Sequence, residues 1–330
     1  MSKSNRRYFS ILSATLLASA VLSSGVHAQS AWPNRPITLL VPWGAGGGTD
    51  ATARQMAMLL EKELKQPVNV INRTGGSGVV GHSAISTATP DGYTIGAVTV
   101  EVAMLHNQGL TTLTPADYTP LALLVNPAPG VLVNAASPYK TVKDLADAIK
   151  LAPPGKFKAS GTGQGGSWHM GMVGWVMAMG LKPDHVTWVP SQGAAPAVQE
   201  LAANGIDFAT FSIPEGRAMI DAGKIKPLAT MSPQRNPQFA DVPTLMEALG
   251  IKHTFGAWIG LAGPKGLPAD IQARLVKAIQ QVHASKEFTD FLATRGLSPQ
   301  WLGGADFGSF MLAQDTSIQP LLKAVGLFKP

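Results

Sequence analysis

Four glycine-rich stretches carry the residues of this 330-residue chain that are best suited to hold a ligand. They are GAGGG at 44–48, TGGSGVVG at 74–81, GTGQGG at 161–166 and SQG at 191–193. Each follows a short strand-like run and precedes a helix-like segment. A helix start has backbone N–H groups without intrahelical partners and the positive end of the helix dipole. The four stretches therefore predict binding of an anionic group without a basic side chain.

The same stretches lack the residues that nucleotide-binding motifs require. Neither GAGGGTDA nor GTGQGGSW carries the lysine with which a P-loop reaches a phosphate. GTGQGG fits the G-x-G-x-x-G pattern of dinucleotide-binding folds, but no acidic residue ends the next strand-like run, HVTWVP at 185–190. The histidines show no metal-ligand spacing. We expect neither a cofactor nor a metal ion.

Serine chemistry is the second possibility that these stretches raise. Ser77 and Ser167 lie in glycine-rich turns, but neither completes the G-x-S-x-G of a nucleophile elbow. His169 follows Ser167 by two residues, and side chains with that spacing point to different faces of a helix. The spacing supplies no nucleophile with a base in reach. An exported α/β hydrolase that uses Ser167 or Ser77 is the alternative to a binding protein.

The elements that position these stretches alternate between strand-like and helix-like segments, which predicts an α/β fold with mostly parallel strands. The helix after the first stretch has an apolar face made of Ala53, Met56, Ala57, Leu60 and Leu64. Such a face packs on a sheet and fixes the glycine stretch at the end of its strand. Thr49 and Asp50 are candidates for the N-cap, since short oxygen-bearing side chains accept from the first N–H groups.

The first 28 residues have the pattern of an export signal, in which Lys3, Arg6 and Arg7 precede an apolar run that ends in Val26-His27-Ala28. We expect cleavage after Ala28 and a periplasmic mature chain. The chain has no cysteine, so disulfides and thiolate metal sites are excluded. Its excess of 26 Lys and Arg over 20 Asp and Glu is small and forms no basic run after the signal, which excludes nucleic acid as a partner.

The mature chain is long enough for two lobes. The first lobe is predicted at residues 29–100 and the second at 101–225, with a return to the first lobe and C-terminal helices at 226–330. Two lobes joined by crossing segments enclose a cleft that can close on a small ligand.

The chain resembles the solute-binding receptors of tripartite tricarboxylate transporters, often called the Bug family. The resemblance is carried by WPNRPITLLVPWGAGGGTDATAR, NRTGGSGVVGHSAISTATPDGYTIG, SGTGQGGSWHMG, VPSQGAAPAVQELAANGIDF, AGKIKPLA and RNPQFADVPTLMEALG. It implies a type II-like, two-lobed periplasmic binding protein of the Venus flytrap kind with a ligand cleft between the lobes. It also implies a monomer that delivers an organic carboxylate to the membrane permease subunits of a sodium- or proton-driven transporter. Presentation of the ligand to a sensor kinase is the other role left open.

The resemblance also implies how the ligand is held. In such proteins the first-lobe loops bind one carboxylate through backbone N–H groups and ordered water, and the second-lobe loops meet its other end. Carried over by position, the site consists of Trp43, Gly47, Gly48, Thr49, Asp50, Ser77, Gly78, Gly165, Gly166, Ser167, Trp168, Ser191, Gly193 and Ala194.

Individual roles follow for some of these positions. Thr49 and Ser77 are hydroxyl donors in the first lobe, and Asp50 holds a water or a ligand amine or serves only as an N-cap. Ser167 is the side-chain donor of the second lobe or a plain N-cap.

Ligand specificity is harder to predict from the resemblance. The family often has an aromatic residue and a lysine where this chain has Ser191 and Gln192, so a cation is missing here. Trp43 and Trp168 border the proposed cleft, and a pair of rings would favour an aromatic dicarboxylate such as terephthalate slightly over citrate.

Overall fold

The computed structural model describes residues 32–191 and 193–329, and those from Arg35 onward form one compact unit. The export signal predicted at residues 1–28 lies outside the described residues, as does Gln192. None of the described helices is both long and apolar enough to cross a membrane.

Strands and helices alternate over most of the described chain. The strands are β1 (Ile37–Val41), β2 (Val68–Asn72), β3 (Thr94–Thr99), β4 (Tyr118–Val125), β5 (Gly130–Asn134), β6 (Lys158–Ser160), β7 (Thr187–Trp188), β8 (Phe208–Ala209), β9 (Ile225–Thr230), β10 (Ile259–Pro264) and β11 (Pro299–Gly303). The α-helices are α1 (Gly48–Leu64), α2 (Val79–Ser86), α3 (Val142–Leu151), α4 (Ser167–Ala178), α5 (Ala194–Ala202), α6 (Arg217–Asp221), α7 (Leu245–Leu249), α8 (Ala269–His283), α9 (Lys286–Thr294) and α10 (Gly304–Ala324).

The strands form two sheets, which confirms the α/β prediction. The order is β11-β4-β10-β3-β1-β2 in the six-stranded sheet and β7-β6-β8-β5-β9 in the five-stranded sheet. β1 pairs in parallel with β2 and β3, and β6 pairs in parallel with β7 and β8. The other pairings of the named strands are antiparallel. The prediction of mostly parallel strands is wrong, because the strands that the chain enters after it crosses between sheets run against their neighbours.

The chain crosses between the two sheets after β4 and returns between β9 and β10. The two crossing segments are hydrogen-bonded together, since the Ala257 N–H donates to the Pro127 carbonyl at 2.9 Å. The predicted lobe limits after residues 100 and 225 fall earlier in the chain than these crossings. β4 belongs to the first sheet and β9 to the second.

The apolar cores of the two sheets hold the glycine stretches in place. The predicted apolar face of α1 is buried, and Leu59 is buried beside it. In the second lobe α4 is buried on nearly every side, and its Trp175 packs edge-on against Phe208 with ring centroids 5.7 Å apart. The helices α1 and α4, which follow the first and third glycine stretches, are therefore anchored along their length, and their first turns are fixed at the sheet edge.

Candidate ligand-binding site

The carboxyl ends of β1, β2 and β3 lie at one edge of the first sheet, because these strands run in parallel. β4 runs in the same direction, since β3 and β4 both pair antiparallel with β10, and from its end the chain crosses to the second sheet. β5 starts at the crossing and pairs antiparallel with β8, so β6, β7 and β8 end on the crossing side. The four glycine stretches, which follow β1, β2, β6 and β7, therefore lie at the two edges between which the chain crosses.

Contacts between residues from the two halves of the chain bring these edges together. The Gln108 side chain, from the segment after β3, donates through Nε2 to the Gly165 carbonyl at 3.3 Å. A Cβ at Gly165 would lie 3.0 Å from Leu327 at the end of the chain. The Lys329 N–H donates to the Asn107 carbonyl at 2.7 Å. The third glycine stretch therefore contacts the first lobe at Gly165.

Asp50 holds the first glycine stretch in shape. Its carboxylate accepts hydrogen bonds from the Gly46 N–H at 2.8 Å, from Arg54 Nε at 3.0 Å and from Asn72 Nδ2 at 2.8 Å. Asn72 Nδ2 also donates to the Trp43 carbonyl at 2.9 Å. Burial alone would raise the pKa of Asp50, but the hydrogen bonds from these three donors outweigh it and hold the pKa below its usual value. Asp50 thus ties the loop to α1 and β2, and both of its carboxylate oxygens accept hydrogen bonds from these donors.

Helix α1 begins before the predicted N-cap residues. Gly48 is its first residue, and Gly47 takes the cap position with extended backbone and no side-chain cap. The prediction that Thr49 or Asp50 caps the helix is therefore wrong. Because Gly47 has no side chain, the first N–H groups of α1 have no capping acceptor there, and they are available to a bound anion together with the partly exposed Thr49.

The second glycine stretch has an unusual backbone. Its four residues from Gly75 to Gly78 have φ angles of 132°, 56°, 56° and 96°. Glycine adopts such angles freely, whereas Ser77 is held there at a cost, which is typical of functional loops. Ser77 is exposed. A Cβ at Gly78 would lie 3.2 Å from the Trp43 ring, so the first and second loops touch at this point.

A polar cluster that the sequence patterns did not indicate lies beside the first two loops. Trp43 Nε1 donates to Thr99 Oγ1 at 3.3 Å, and Thr99 Oγ1 donates to Glu101 Oε2 at 2.6 Å. The Thr99 N–H donates to His82 Nε2 at 3.3 Å, so this nitrogen is an acceptor. Burial raises the pKa of Glu101 and lowers that of His82. Only position in the chain could have indicated this cluster from the sequence: Thr99 ends the third parallel strand, and Glu101 follows it at the same sheet edge.

The third loop is anchored by His169. Helix α4 starts at Ser167 with Gly166 in the cap position, so the reading of Ser167 as a plain N-cap is wrong. The Gly165 N–H donates to His169 Nδ1 at 2.9 Å, and the His169 ring lies against Trp188 with centroids 4.7 Å apart. Nδ1 of His169 is therefore committed to the loop. Ser167 is 5% exposed, and its hydroxyl makes no hydrogen bond within the described part of the chain.

Trp168 packs into the second lobe. It is 6% exposed and belongs to a hydrophobic cluster with Ala197, Leu201 and Phe211. Trp43 is partly exposed. Of the two rings expected to sandwich a ligand, Trp168 is therefore buried, and contact of Trp43 with a ligand stays a prediction.

The fourth loop is tied to the third. The Thr162 carbonyl accepts from the Ser191 N–H at 3.0 Å and from Trp188 Nε1 at 3.1 Å. Ser191 Oγ donates to the Gly193 carbonyl at 2.9 Å, so this hydroxyl is already engaged. Helix α5 starts at Ala194, and Gly193 with φ of 117° is its cap without a side chain. No side chain caps the start of α5, and binding of a ligand by the N–H groups of Gly193 and Ala194 stays a prediction.

A groove on the outer face of the first lobe holds none of the predicted ligand residues. It has a volume of about 900 Å³ and runs between α1 and the edge strand β2. Long side chains such as Met58, Lys62 and Lys65 form its walls. No glycine loop or helix start is among the residues that line this groove. The two sheet edges between which the chain crosses are therefore the better candidate for an anion site.

The two buried histidines beside the loops predict a pH dependence of stability. Burial lowers the pKa of both His82 and His169 to about 4. An unfolded histidine titrates near pH 6.5, so between about pH 6.5 and 4 the unfolded state binds protons that the folded state does not, and stability falls as pH falls. From pH 7 to pH 5 we expect the free energy of unfolding, measured by urea denaturation, to drop by about 2 kcal/mol per histidine.

The variant His169→Gln separates this effect from other titrations. Glutamine retains an acceptor for the Gly165 N–H and does not titrate. The drop between pH 7 and pH 5 should shrink by about 2 kcal/mol in the variant. An equal drop in the variant and the wild type would contradict the assignment of His169 as a buried neutral anchor.

Two α/β lobes joined by crossing segments, with glycine-capped helix starts at the facing edges, define a two-lobed solute-binding protein. Residues 52–327 match the model of the tripartite tricarboxylate transporter family receptor. The chain belongs to this receptor family, as its sequence motifs indicated. Family membership makes it a solute-binding receptor and not an enzyme, so the hydrolase alternative built on Ser167 or Ser77 is set aside.

Individual relatives cover nearly the whole chain. A UPF0065 protein of Bordetella pertussis is 31% identical over 318 residues, which are 94% of this chain and 95% of that protein. The crystal structure of a TctC solute-binding protein from Polaromonas is 33% identical, with a TM-score of 0.76, over 88% of this chain and 99% of that one. A R. palustris protein solved with adipate is 25% identical, with a TM-score of 0.79, over 89% of this chain and 98% of that one.

Proposed function

We propose that this receptor captures an organic carboxylate in the periplasm and delivers it to the permease subunits of a tripartite tricarboxylate transporter. The observation that carries the proposal is the pair of glycine loops on the first lobe, which touch at Gly78 and Trp43 and present helix-start N–H groups without capping side chains. Such donors suit a carboxylate. The similar protein solved with adipate supports a dicarboxylate as the ligand class.

The aromatic ligand expected from the sequence has weaker support. The sequence favours a ring-shaped dicarboxylate such as terephthalate, because Trp43 and Trp168 would enclose it. In the structure, however, Trp168 packs into the second lobe. Only Trp43 remains as an aromatic wall. Terephthalate is therefore one candidate beside aliphatic carboxylates.

The delivery step is a proposal in its own right. A monomeric receptor exported by cleavage after Ala28 would dock on a permease with a large and a small subunit. The rival role, presentation of the ligand to a sensor kinase, predicts a kinase gene in place of permease genes beside the receptor gene. Uptake of labelled ligand that requires both the receptor and the permease would support transport.

Thermal unfolding of the mature protein, residues 29–330, tests the binding role. The panel consists of citrate, succinate, adipate, aspartate, benzoate, phthalates including terephthalate, and nicotinate. A ligand at 100 times its dissociation constant stabilises by about 2.7 kcal/mol, which is visible as a rise in melting temperature. We expect at least one carboxylate to raise it. No rise with any member, at concentrations up to 10 mM, would contradict carboxylate binding.

The hydroxyl of Ser167 is expected to bond the second end of the ligand. The change Ser167→Ala should weaken the affinity roughly three- to tenfold, the worth of one hydrogen bond, with the melting temperature of the free protein unchanged. Ser317→Ala, which removes an exposed hydroxyl that bonds the Gln314 carbonyl of its own helix, is the matched control. Equal affinities of the Ser167 variant and the wild type in calorimetry would remove Ser167 from the site.

A further inference from the structure

We infer that Glu101 makes this receptor select carboxylates that also carry an ammonium group. The inference rests on the proposed function, because it concerns the ligand of the same site. It starts from the fact that the cluster beside the first two loops contains a carboxylate at a place where an anionic ligand is expected.

Glu101 lies at the carboxyl edge of the first sheet, two residues after β3 ends. Its link to the loops is short, since Thr99 Oγ1 donates to Glu101 Oε2 at 2.6 Å and accepts from Trp43 Nε1 at 3.3 Å. Trp43 is in turn part of the first loop and touches Gly78 of the second. A carboxylate held by the N–H groups of these loops would thus be close to the carboxylate of Glu101. The side chain is only partly buried.

No cation of the described chain neutralises Glu101. Among residues 32–191 and 193–329, no Lys, Arg or His nitrogen lies within the 4.0 Å of an ion pair with it. His82, which faces it across Thr99, is buried and has a pKa of about 4, so it is neutral at pH 7. Asp50 provides the contrast, because its carboxylate pairs with Arg54 and accepts from two further donors. Of the two acids beside the loops, Glu101 is the one that lacks a counter-charge.

A ligand can supply this missing charge. A simple dicarboxylate brings further negative charge beside Glu101, which disfavours the charged form of this carboxyl group and forms no ion pair with it. An ammonium group on the ligand forms a charge-assisted hydrogen bond to the Glu101 carboxylate while the ligand carboxylate remains on the loop N–H groups. Burial raises the pKa of Glu101 and so disfavours its charged form in the free protein, and a ligand ammonium group beside it would favour that charged form.

Matched ligand pairs test the inference by calorimetry at pH 7.5. Succinate is compared with aspartate and adipate with 2-aminoadipate, so each pair differs by one amino group. We expect the amino member to bind the wild type at least tenfold more tightly. In Glu101→Gln this preference should fall at least tenfold, while Glu63→Gln, which removes one exposed carboxylate of α1, should leave it unchanged.

The outcomes separate the inference from the proposed function. Equal or tighter binding of the plain dicarboxylates by the wild type would overturn the inference and leave carboxylate capture intact, and this result needs no variant. The same preference in Glu101→Gln and the wild type would also overturn it. Binding of no carboxylate of either kind would overturn the proposed function, and the inference with it. The melting temperature of each free variant shows that the fold is retained.

Discussion

Replacing Asp50 with alanine is expected to lower the affinity for the bound carboxylate at least tenfold and to reduce the free energy of unfolding by about 2 kcal/mol. The change removes the acceptor for the Gly46 N–H, for Arg54 and for Asn72 at once. The first loop then loses the bonds that define its shape, and its N–H groups no longer converge. Arg54 is half-exposed and can turn to water, which keeps the cost in stability below that of a fully buried ion pair.

Calorimetry and urea denaturation measure the two effects of Asp50→Ala separately. Asp270→Ala is the matched control, since Asp270 also lies in the first turn of an amphipathic helix but is exposed. The control should leave affinity unchanged. Asp50→Asn keeps the side-chain size and some of the hydrogen bonds, so its loss should be smaller. Wild-type affinity in Asp50→Ala would show that the loop does not depend on this carboxylate.

Gly81→Ala should be the most destabilising single change near the site, with a loss of about 3 kcal/mol in the free energy of unfolding. A Cβ at Gly81 would collide with Pro42 and would lie 2.5 Å from the Arg73 carbonyl oxygen. Both are fixed parts of the backbone beneath the first and second loops, so neither can move aside cheaply. The helix α2 would be pushed away from β1, and the contact between the two loops would open.

A second glycine of the same region serves as the control for Gly81→Ala. A Cβ at Gly44 has no neighbour within 4 Å. Gly44→Ala should therefore change the unfolding free energy by less than about 0.5 kcal/mol, as is usual for surface substitutions. Similar urea midpoints for the Gly44 and Gly81 variants would contradict the packing of α2 on β1.

The local parts of this architecture could be predicted from the sequence because they depend on short-range patterns. The apolar positions of α1, from Ala53 to Leu64, recur with the helical period and are buried in the structure. The positions of the glycine stretches, after strands and before helices, could also be predicted, since they depend on neighbouring residues. The predicted N-cap residues were wrong because Gly47 and Gly166 occupy the cap positions, and glycine has no side chain that would mark a cap in the sequence.

Long-range features escaped the sequence patterns. The antiparallel strands arise from the two crossings, which no local pattern encodes. Trp168 and Trp43 both lie beside glycine loops, yet Trp168 packs in a core and Trp43 is partly exposed, because tertiary packing decides which of these side chains is buried. Glu101 was missed for a similar reason: its importance comes from Thr99 and Trp43, which are brought to it by strand pairing.

The most direct test of carboxylate capture by the glycine loops is a crystal structure of the mature protein with the carboxylate that stabilises it most. We expect the ligand between the lobes, with carboxylate oxygens about 3 Å from backbone nitrogens of the loops after β1 and β2, directly or through one water. A ligand seated in the groove between α1 and β2, or held only by side chains away from both loops, would contradict the site.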